Sequence, residues 1–399
     1  MAQDTAIART EMPGLATVVL DSGIRCYTSV APGNIREARV DMSFEEQQGA
    51  LLSGNRAKLR PDKSLWRDFP GPQMPVTDQL NNICTLSKWS TSGSRCNICL
   101  FYQGAGNEIQ YLKQTDSNRP WTMWSTGPGE EDTLPLRGTS IAGVSSKRMD
   151  RIALFYQNED DIIIMKNWTH EGKWSRKETC LWKAAHLTGI AATTCDDATT
   201  AMIYWQDPDY TIRESRVDLE KGVIENGELV VMTKKLCSTM AAVSWKLDES
   251  SDPDIRLYCQ KPPDSIMEFT YSLNESSGRH CWTRGSDTEA IGVEKLTAFV
   301  RESGRAQNAC VNLMWICKDD PENQVYTLQH RAYITRAQNH KPLWFDPAII
   351  CKLGEEGTQT HTPDEFIFEE LFQELRMAYE YVQGAITRFP TRIPGLGAR

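Results

Sequence analysis

A unit of about 50 residues recurs six times along this 399-residue chain, so the fold must stack one small motif upon the next. Each copy opens on a short apolar strand: LATVV (15–19), ICTLSKW (83–89), IAGVSS (141–146), IAATTC (190–195), MAAVSW (240–245) and LTAFV (296–300). A second strand follows as IRCY (24–27), ICLFYQ (98–103), IALFYQ (152–157), AMIYWQ (201–206), IRLYCQ (255–260) and NLMWIC (312–317). The third reads NIRE (34–37), EIQY (108–111), DIIIM (161–165), TIRE (211–214), SIME (265–268) and QVYT (324–327). Between the second and third strands stand APGN, GAGN, NEDD, DPDY, KPPD and DDPEN, residues that meet the dihedral demands of tight hairpin turns.

Val, Ile, Tyr, Phe and Trp fill the strands, as they fill pleated half-buried surfaces generally. Most copies end on a tryptophan: Trp66, Trp121, Trp174, Trp282 and Trp344, with GVIENGELV taking that place in the fourth. A unit of three or four short antiparallel strands cannot bury two faces alone, but stacked radially it can. The sequence therefore predicts an all-β, six-bladed β-propeller over 15–354, between an N-terminal segment (1–14) and a C-terminal helix and tail (355–399).

Two stretches fall outside the repeat. FEEQQGALLSGNRAKLRPDK (44–63) reads as a surface excursion with some helical character. THTPDEFIFEELFQELRMAYEYVQG (360–384) has the pattern of an amphipathic α-helix: Thr362, Pro363 and Glu365 form its capped start. Phe368, Leu371, Phe372, Leu375, Ala378, Tyr379 and Val382 then make one apolar stripe. That stripe suits packing on the propeller, or pairing with a protein partner or a second copy in a homodimer. DPAIICKLG (346–354) is a candidate strand for closing the ring against the first copy.

Net charge is −9 with no basic cluster, which disfavours a phosphate backbone as ligand, so no nucleic-acid role is expected. No segment approaches the ~20 apolar residues of a membrane span. The N-terminus lacks the apolar run of a signal peptide, which predicts a cytoplasmic protein unless export is leaderless. The 12 cysteines are scattered and read as reduced, small hydrophobes; Cys96 and Cys99 form a lone CxxC without zinc-ligand companions. The sequons at Asn167 and Asn274 are then unused. Neither the 6 histidines nor any serine, Walker or dinucleotide motif forms a catalytic or metal-ligating pattern, so no enzyme, metal or cofactor is expected.

The strings IRCYTSVAPGNIREARV (24–40), AMIYWQDPDYTIRESRV (201–217) and DIRLYCQKPPDSIMEFTY (254–271) resemble the blades of the fungal fucose-specific lectin family. The resemblance runs in phase over about 15–350 and implies a propeller binding L-fucose or fucosylated glycans between adjacent blades. In that family Arg and Glu come from one blade, and Trp, often with Tyr, from the next. The chemistry suits a deoxy-sugar: charge-assisted hydrogen bonds meet its hydroxyls, and an indole covers its methyl and C–H face.

Two copies carry the full polar pair at the same 12-residue spacing, Arg25/Glu37 and Arg256/Glu268, with Trp121 and Trp344 expected from the following copies. The fourth keeps Glu214, facing Tyr271 and Trp282, but has Met202 at the arginine position. The remaining copies have Cys99/Tyr111, Ala153/Met165 and about Leu313/Thr327. Counting places Gln114 and about His330, rather than Tyr, beside the two complete pairs. The expected function is a lectin with most pockets degenerate; the alternative is a propeller that has lost sugar binding and serves as a protein-interaction scaffold.

Overall fold

The computed structural model describes residues 14–20, 23–30, 34–41, 66–68, 83–88 and, with short gaps, 97–353. The insertion at 44–63 and the helix expected at 360–384 lie outside the described residues.

The repeat becomes six antiparallel sheets, each a meander in chain order. Blade 1 is β1 (Gly14–Leu20), β2 (Gly23–Val30), β3 (Asn34–Asp41) and β4 (Trp66–Asp68). Blade 2 is β5 (Ile83–Lys88), β6 (Asn97–Gln103), β7 (Ile109–Gln114) and β8 (Thr122–Ser125). Blade 3 is β9 (Ala142–Ser145), β10 (Ile152–Gln157), β11 (Ile162–Trp168) and β12 (Thr179–Lys183). Blade 4 is β13 (Ala191–Cys195), β14 (Thr200–Gln206), β15 (Thr211–Asp218) and β16 (Ile224–Met232). Blade 5 is β17 (Met240–Trp245), β18 (Asp254–Lys261), β19 (Ser265–Asn274), β20 (Arg279–Arg284) and the short β21 (Thr288–Glu289). Blade 6 is β22 (Val293–Glu302), β23 (Ala309–Asp320), β24 (Val325–Ile334), β25 (Leu343–Trp344) and β26 (Ala348–Leu353).

The first strands of the blades touch in a ring, β1 to β5, β9, β13, β17, β22 and back to β1. Short hydroxyls knit it: Thr85 Oγ1 donates to the Thr17 carbonyl at 2.8 Å, Thr193 and Ser244 share a bond of 2.9 Å, and Thr17 meets Thr297 at 2.9 Å. That last bond joins blade 1 to blade 6, so the first strands themselves close the ring. The strand at Ala348–Leu353 is a correction to the sequence expectation: it pairs with β24 of its own blade, not with blade 1.

The second strands contribute to the cores on both sides of their blades, as in IALFYQ (152–157), every residue of which is buried. The cores form between consecutive blades: Tyr27 and Leu100 share one, Phe101 and Leu154 the next, Phe155 and Ile203 the third, Tyr204 and Leu257 the fourth, Tyr258 and Trp315 the fifth.

A glutamine at or next to the end of the second strand in blades 2 to 5, buried in blades 2 to 4 and half-buried in blade 5, clamps the linker that leads into the next blade. Gln103 donates to the Leu136 carbonyl at 3.1 Å and accepts from Gly138 N at 2.8 Å. Gln157 does the same with Ala185 (2.9 Å) and Leu187 (2.9 Å), and Gln206 with Lys235 (3.0 Å) and Cys237 (2.6 Å). Gln260 donates to the Val293 carbonyl at 2.6 Å. The first three also tie down their own hairpins four residues on, at Asn107, Asp161 and Tyr210, whose φ values of 68, 62 and 60° are left-handed. The linkers pack closely: a Cβ on Gly189 would stand 2.9 Å from the backbone of Thr239 and Met240.

Candidate functional site

The register creates a repeated inter-blade cleft. Arg25 on β2 lies opposite Val18, and Tyr27 lies opposite Glu37 of β3; in blade 5, Arg256 lies opposite Val243 and Tyr258 opposite Glu268. Arginine and glutamate are therefore diagonal neighbours on one sheet face, the arrangement in which two long side chains can meet. Arg25 Nη1 is 3.3 Å from Glu37 Oε1, and Arg256 Nη1 is 2.7 Å from Glu268 Oε1.

The two pairs differ in what surrounds them. Arg25 donates at 2.7 Å to Gln114 Oε1 from blade 2, Tyr27 OH reaches Glu37 Oε1 at 3.5 Å, and Trp121 sets its ring edge-on to Tyr27 at 6.0 Å. Arg25, Glu37, Gln114 and Trp121 are 3, 0, 2 and 5% exposed. The first cleft is thus filled by the protein's own side chains.

The fifth cleft is more open, with the Arg256 and Glu268 side chains 13 and 5% exposed. Arg256 also donates to Thr270 Oγ1 and lies 5.8 Å from the Trp245 ring centroid. The loop after β20 backs Glu268: Gly285 N donates to the Glu268 carbonyl at 2.9 Å, and a Cβ on Gly285 would stand 2.9 Å from Glu268 Cδ. Burial pushes the Glu268 carboxyl above the ordinary carboxylate range, against the lowering influence of Arg256 and Arg331. Arg331 comes from β24 of blade 6 and donates to Thr288 Oγ1 of β21 at 2.6 Å.

Counting along the sequence misplaced the blade 6 contribution. In blade 5, Tyr271 pairs with Ile255 on one side and Trp282 on the other. The matching pairs in blade 6 are Val311 with Tyr333 and Tyr333 with Trp344. Val311 packs in the core toward blade 5 as Ile255 packs toward blade 4, so the two columns share a face. Tyr333, not His330, therefore occupies the tyrosine column next to Trp344. By the same register Asn312 and His330, not Leu313 and Thr327, stand in the Arg and Glu columns of blade 6; Leu313 faces the blade 5 core.

The tryptophan column is otherwise regular. Trp282 stands edge-on to Tyr204 at 5.6 Å and tilted against Tyr271 at 5.4 Å, in the cleft that holds Glu214 and Met202. Trp174 stands edge-on to Phe101 at 5.9 Å, yet bridges Trp168 before the outer strand β12 instead of lying in it. The second cleft, with Cys99, Phe101 and Tyr111, is apolar, and burial pushes the Cys99 thiol up to about 12. In the third, Ala153 and Met165 are core. Cys96 lies outside the described residues, and Asn167 and Asn274 fall in β11 and β19.

What the fold and clefts define is an all-β propeller whose blades are separated by repeated polar and aromatic recesses. The sequence profile of the fungal fucose-specific lectins matches residues 82–285, just over half of the chain, and the chain belongs to that family. No curated protein matches it. Among solved structures it is similar to the fucose-specific lectin from Aleuria aurantia, at 17% identity, 86% of this chain, 97% of that one and a TM-score of 0.56. It is likewise similar to AofleA from Arthrobotrys oligospora, at 12% identity, 84 and 89% coverage and a TM-score of 0.57. A third, SapL1 lectin in complex with α-methyl fucoside, gives 18% identity, 84 and 96% coverage and a TM-score of 0.56. At these identities the likeness concerns the fold.

Proposed function

We propose that this protein is a lectin that binds fucose or fucosylated glycans in the cleft between blades 5 and 6, without catalysis and without a cofactor. The single observation that carries the reading is the Arg256–Glu268 pair, held at 2.7 Å and still partly exposed, in a chain of the fucose-lectin family. A structurally similar lectin, a mutant of the Aleuria aurantia lectin, is described in complex with α-methyl-L-fucoside and with Fucα1-6GlcNAc. Arg256 would donate to sugar oxygens, Glu268 would accept from a hydroxyl, and Tyr333 with Trp344 would supply the apolar wall. The pair is held together before ligand arrives, which reduces the ordering cost of binding.

Arg25/Glu37/Trp121 is the same device turned inward, with Gln114 serving Arg25 where a sugar oxygen would. The Glu214/Tyr271/Trp282 cleft lacks the guanidinium, since Met202 replaces it, and would at most bind more weakly. The test is isothermal titration with methyl α-L-fucoside: one site per chain is expected, abolished by Arg256→Ala and by Glu268→Ala and retained in Arg25→Ala. Absence of heat at millimolar sugar, or binding that survives Arg256→Ala, overturns the proposal.

A further inference from the structure

In blade 5 the strand register seats Arg256 among residues of its own sheet. Thr270 on β19 is its direct partner, while Glu268 on β19 and Trp245 on β17 are its diagonal neighbours. Diagonal neighbours on one sheet face are within reach of each other when the side chains are long or aromatic. Arg256 donates to Glu268 Oε1 at 2.7 Å and to Thr270 Oγ1, and its guanidinium carbon stands over the Trp245 ring, 5.8 Å from the centroid. That separation falls within the ~6 Å over which the negative face of an indole attracts a cation. Trp245 is 3% exposed and packs with Val243, Tyr258 and Trp315 in the core between blades 5 and 6. Water is largely excluded from the contact, which strengthens it.

No other blade has an aromatic residue at this position. Two residues beyond the partner of the Arg column stand Leu20, Lys88, Ser146, Cys195 and Arg301. The first cleft is the informative comparison, because its polar pair is the same. Arg25 has Leu20 in that place and is met instead by Gln114, which reaches across from blade 2. Arg256 has a ring beneath it that belongs to its own blade. The Trp245 indole N–H has no acceptor among the described residues, so what this residue offers the site is its ring face.

We infer that Trp245 is a positioning residue for sugar binding, its π-face fixing the Arg256 guanidinium in the place from which Arg256 meets the ligand. The inference rests on the lectin reading of the same cleft. Trp245 acts through Arg256 and not by touching the sugar. A ring face attracts the charge without accepting any of the guanidinium's N–H groups, which a carboxylate, amide or hydroxyl support cannot do. The arginine is thereby ordered before ligand arrives.

The test replaces Trp245 in the full chain by tryptophans carrying one to four ring fluorines, which weaken the negative face and keep the shape nearly intact. Each protein is titrated with methyl α-L-fucoside and unfolded in urea. Affinity should fall stepwise with fluorination, to about tenfold below wild type at the end of the series, while the urea midpoints stay together. Trp245→Leu should bind about tenfold more weakly as well, and Trp245→Phe should recover part of the loss. Affinity that stays level across the fluorinated series overturns the inference and leaves the lectin reading standing, because the ring then acts by volume alone. So does a loss that follows the urea midpoint in every variant, which marks a structural role. A wild type that binds no fucoside overturns both.

Discussion

Replacing Arg25 by alanine should damage the fold and spare the ligand, whereas the same change at Arg256 should abolish binding at about half the cost in stability. Arg25 and Glu37 have side chains 4 and 0% exposed, so removing the guanidinium strands a carboxylate that water cannot reach. Breaking a buried pair from one side costs about 3–5 kcal/mol. Gln114 would also lose its 2.7 Å donor, and Tyr27 at 3.5 Å would be the hydroxyl left to Glu37. At Arg256 the pair is partly exposed and Glu268 keeps Thr270 at 3.5 Å and the field of Arg331, so the loss is nearer the ~1.5–3 kcal/mol of one charged hydrogen bond. Urea unfolding followed by tryptophan fluorescence reads the difference. With a slope of about 3 kcal/mol per M, Arg25→Ala should lower the midpoint by roughly 1–1.7 M and Arg256→Ala by about half that. Fucoside titration on the same preparations should find Arg25→Ala unchanged and Arg256→Ala silent. If Arg25→Ala is as stable as wild type, or loses a sugar site, the first cleft is open in solution and the argument from burial fails.

Other outcomes follow from the same geometry. Gly285→Ala should weaken fucoside binding more than it lowers stability, because its Cβ would press on Glu268 Cδ at 2.9 Å; titration beside urea unfolding checks this. Tyr333→Ala should reduce affinity and His330→Ala should not, if the cross-strand register and not residue counting defines the cleft. Gln206→Ala should cost about 3 kcal/mol, since Cys237 N and the Tyr210 and Lys235 carbonyls lose a buried partner together; urea midpoints measure it. Affinity for neutral fucoside should fall on acidification from a pH above the usual carboxylate range, because Glu268 takes up its proton early. The stability sign is opposite: a carboxyl whose folded pKa is raised binds more protons in the native state, so its contribution is present below the unfolded value and declines as pH rises through the folded one. Titrating Glu268→Gln across the same pH range should remove both trends.

How much of this could be read beforehand depends on whether the controlling relation is periodic. Strands such as MAAVSW and IRLYCQ announce themselves by composition, and hairpin turns by Gly, Pro, Asn and Asp, so five blades fall in phase with a fixed 12-residue step from the Arg column to the Glu column. Blade 6 breaks that step because β23 and β24 are 12 and 10 residues long, with an irregularity between Lys318 and Asp320 near their turn. Counting from the apolar string QVYT then lands on His330, three residues short of Tyr333. Only backbone pairing carries the correct column, and pairing is not written in the order of residues. Gln114 escaped for a different reason. It could be seen to stand where a tyrosine belongs, but a glutamine there signals nothing until the neighbouring blade brings Arg25 to 2.7 Å and excludes water from the recess. The clamp glutamines were visible as the last letter of ICLFYQ, IALFYQ, AMIYWQ and IRLYCQ, and their meaning is equally nonlocal. A polar residue at the end of a buried strand has to find partners, and here it finds backbone groups of the turn and the next linker. The repeat therefore encodes how each blade forms, while the clefts depend on what two consecutive copies present to each other. Two clefts with identical polar pairs can then differ, one sealed by Gln114 and the other leaving its arginine partly exposed.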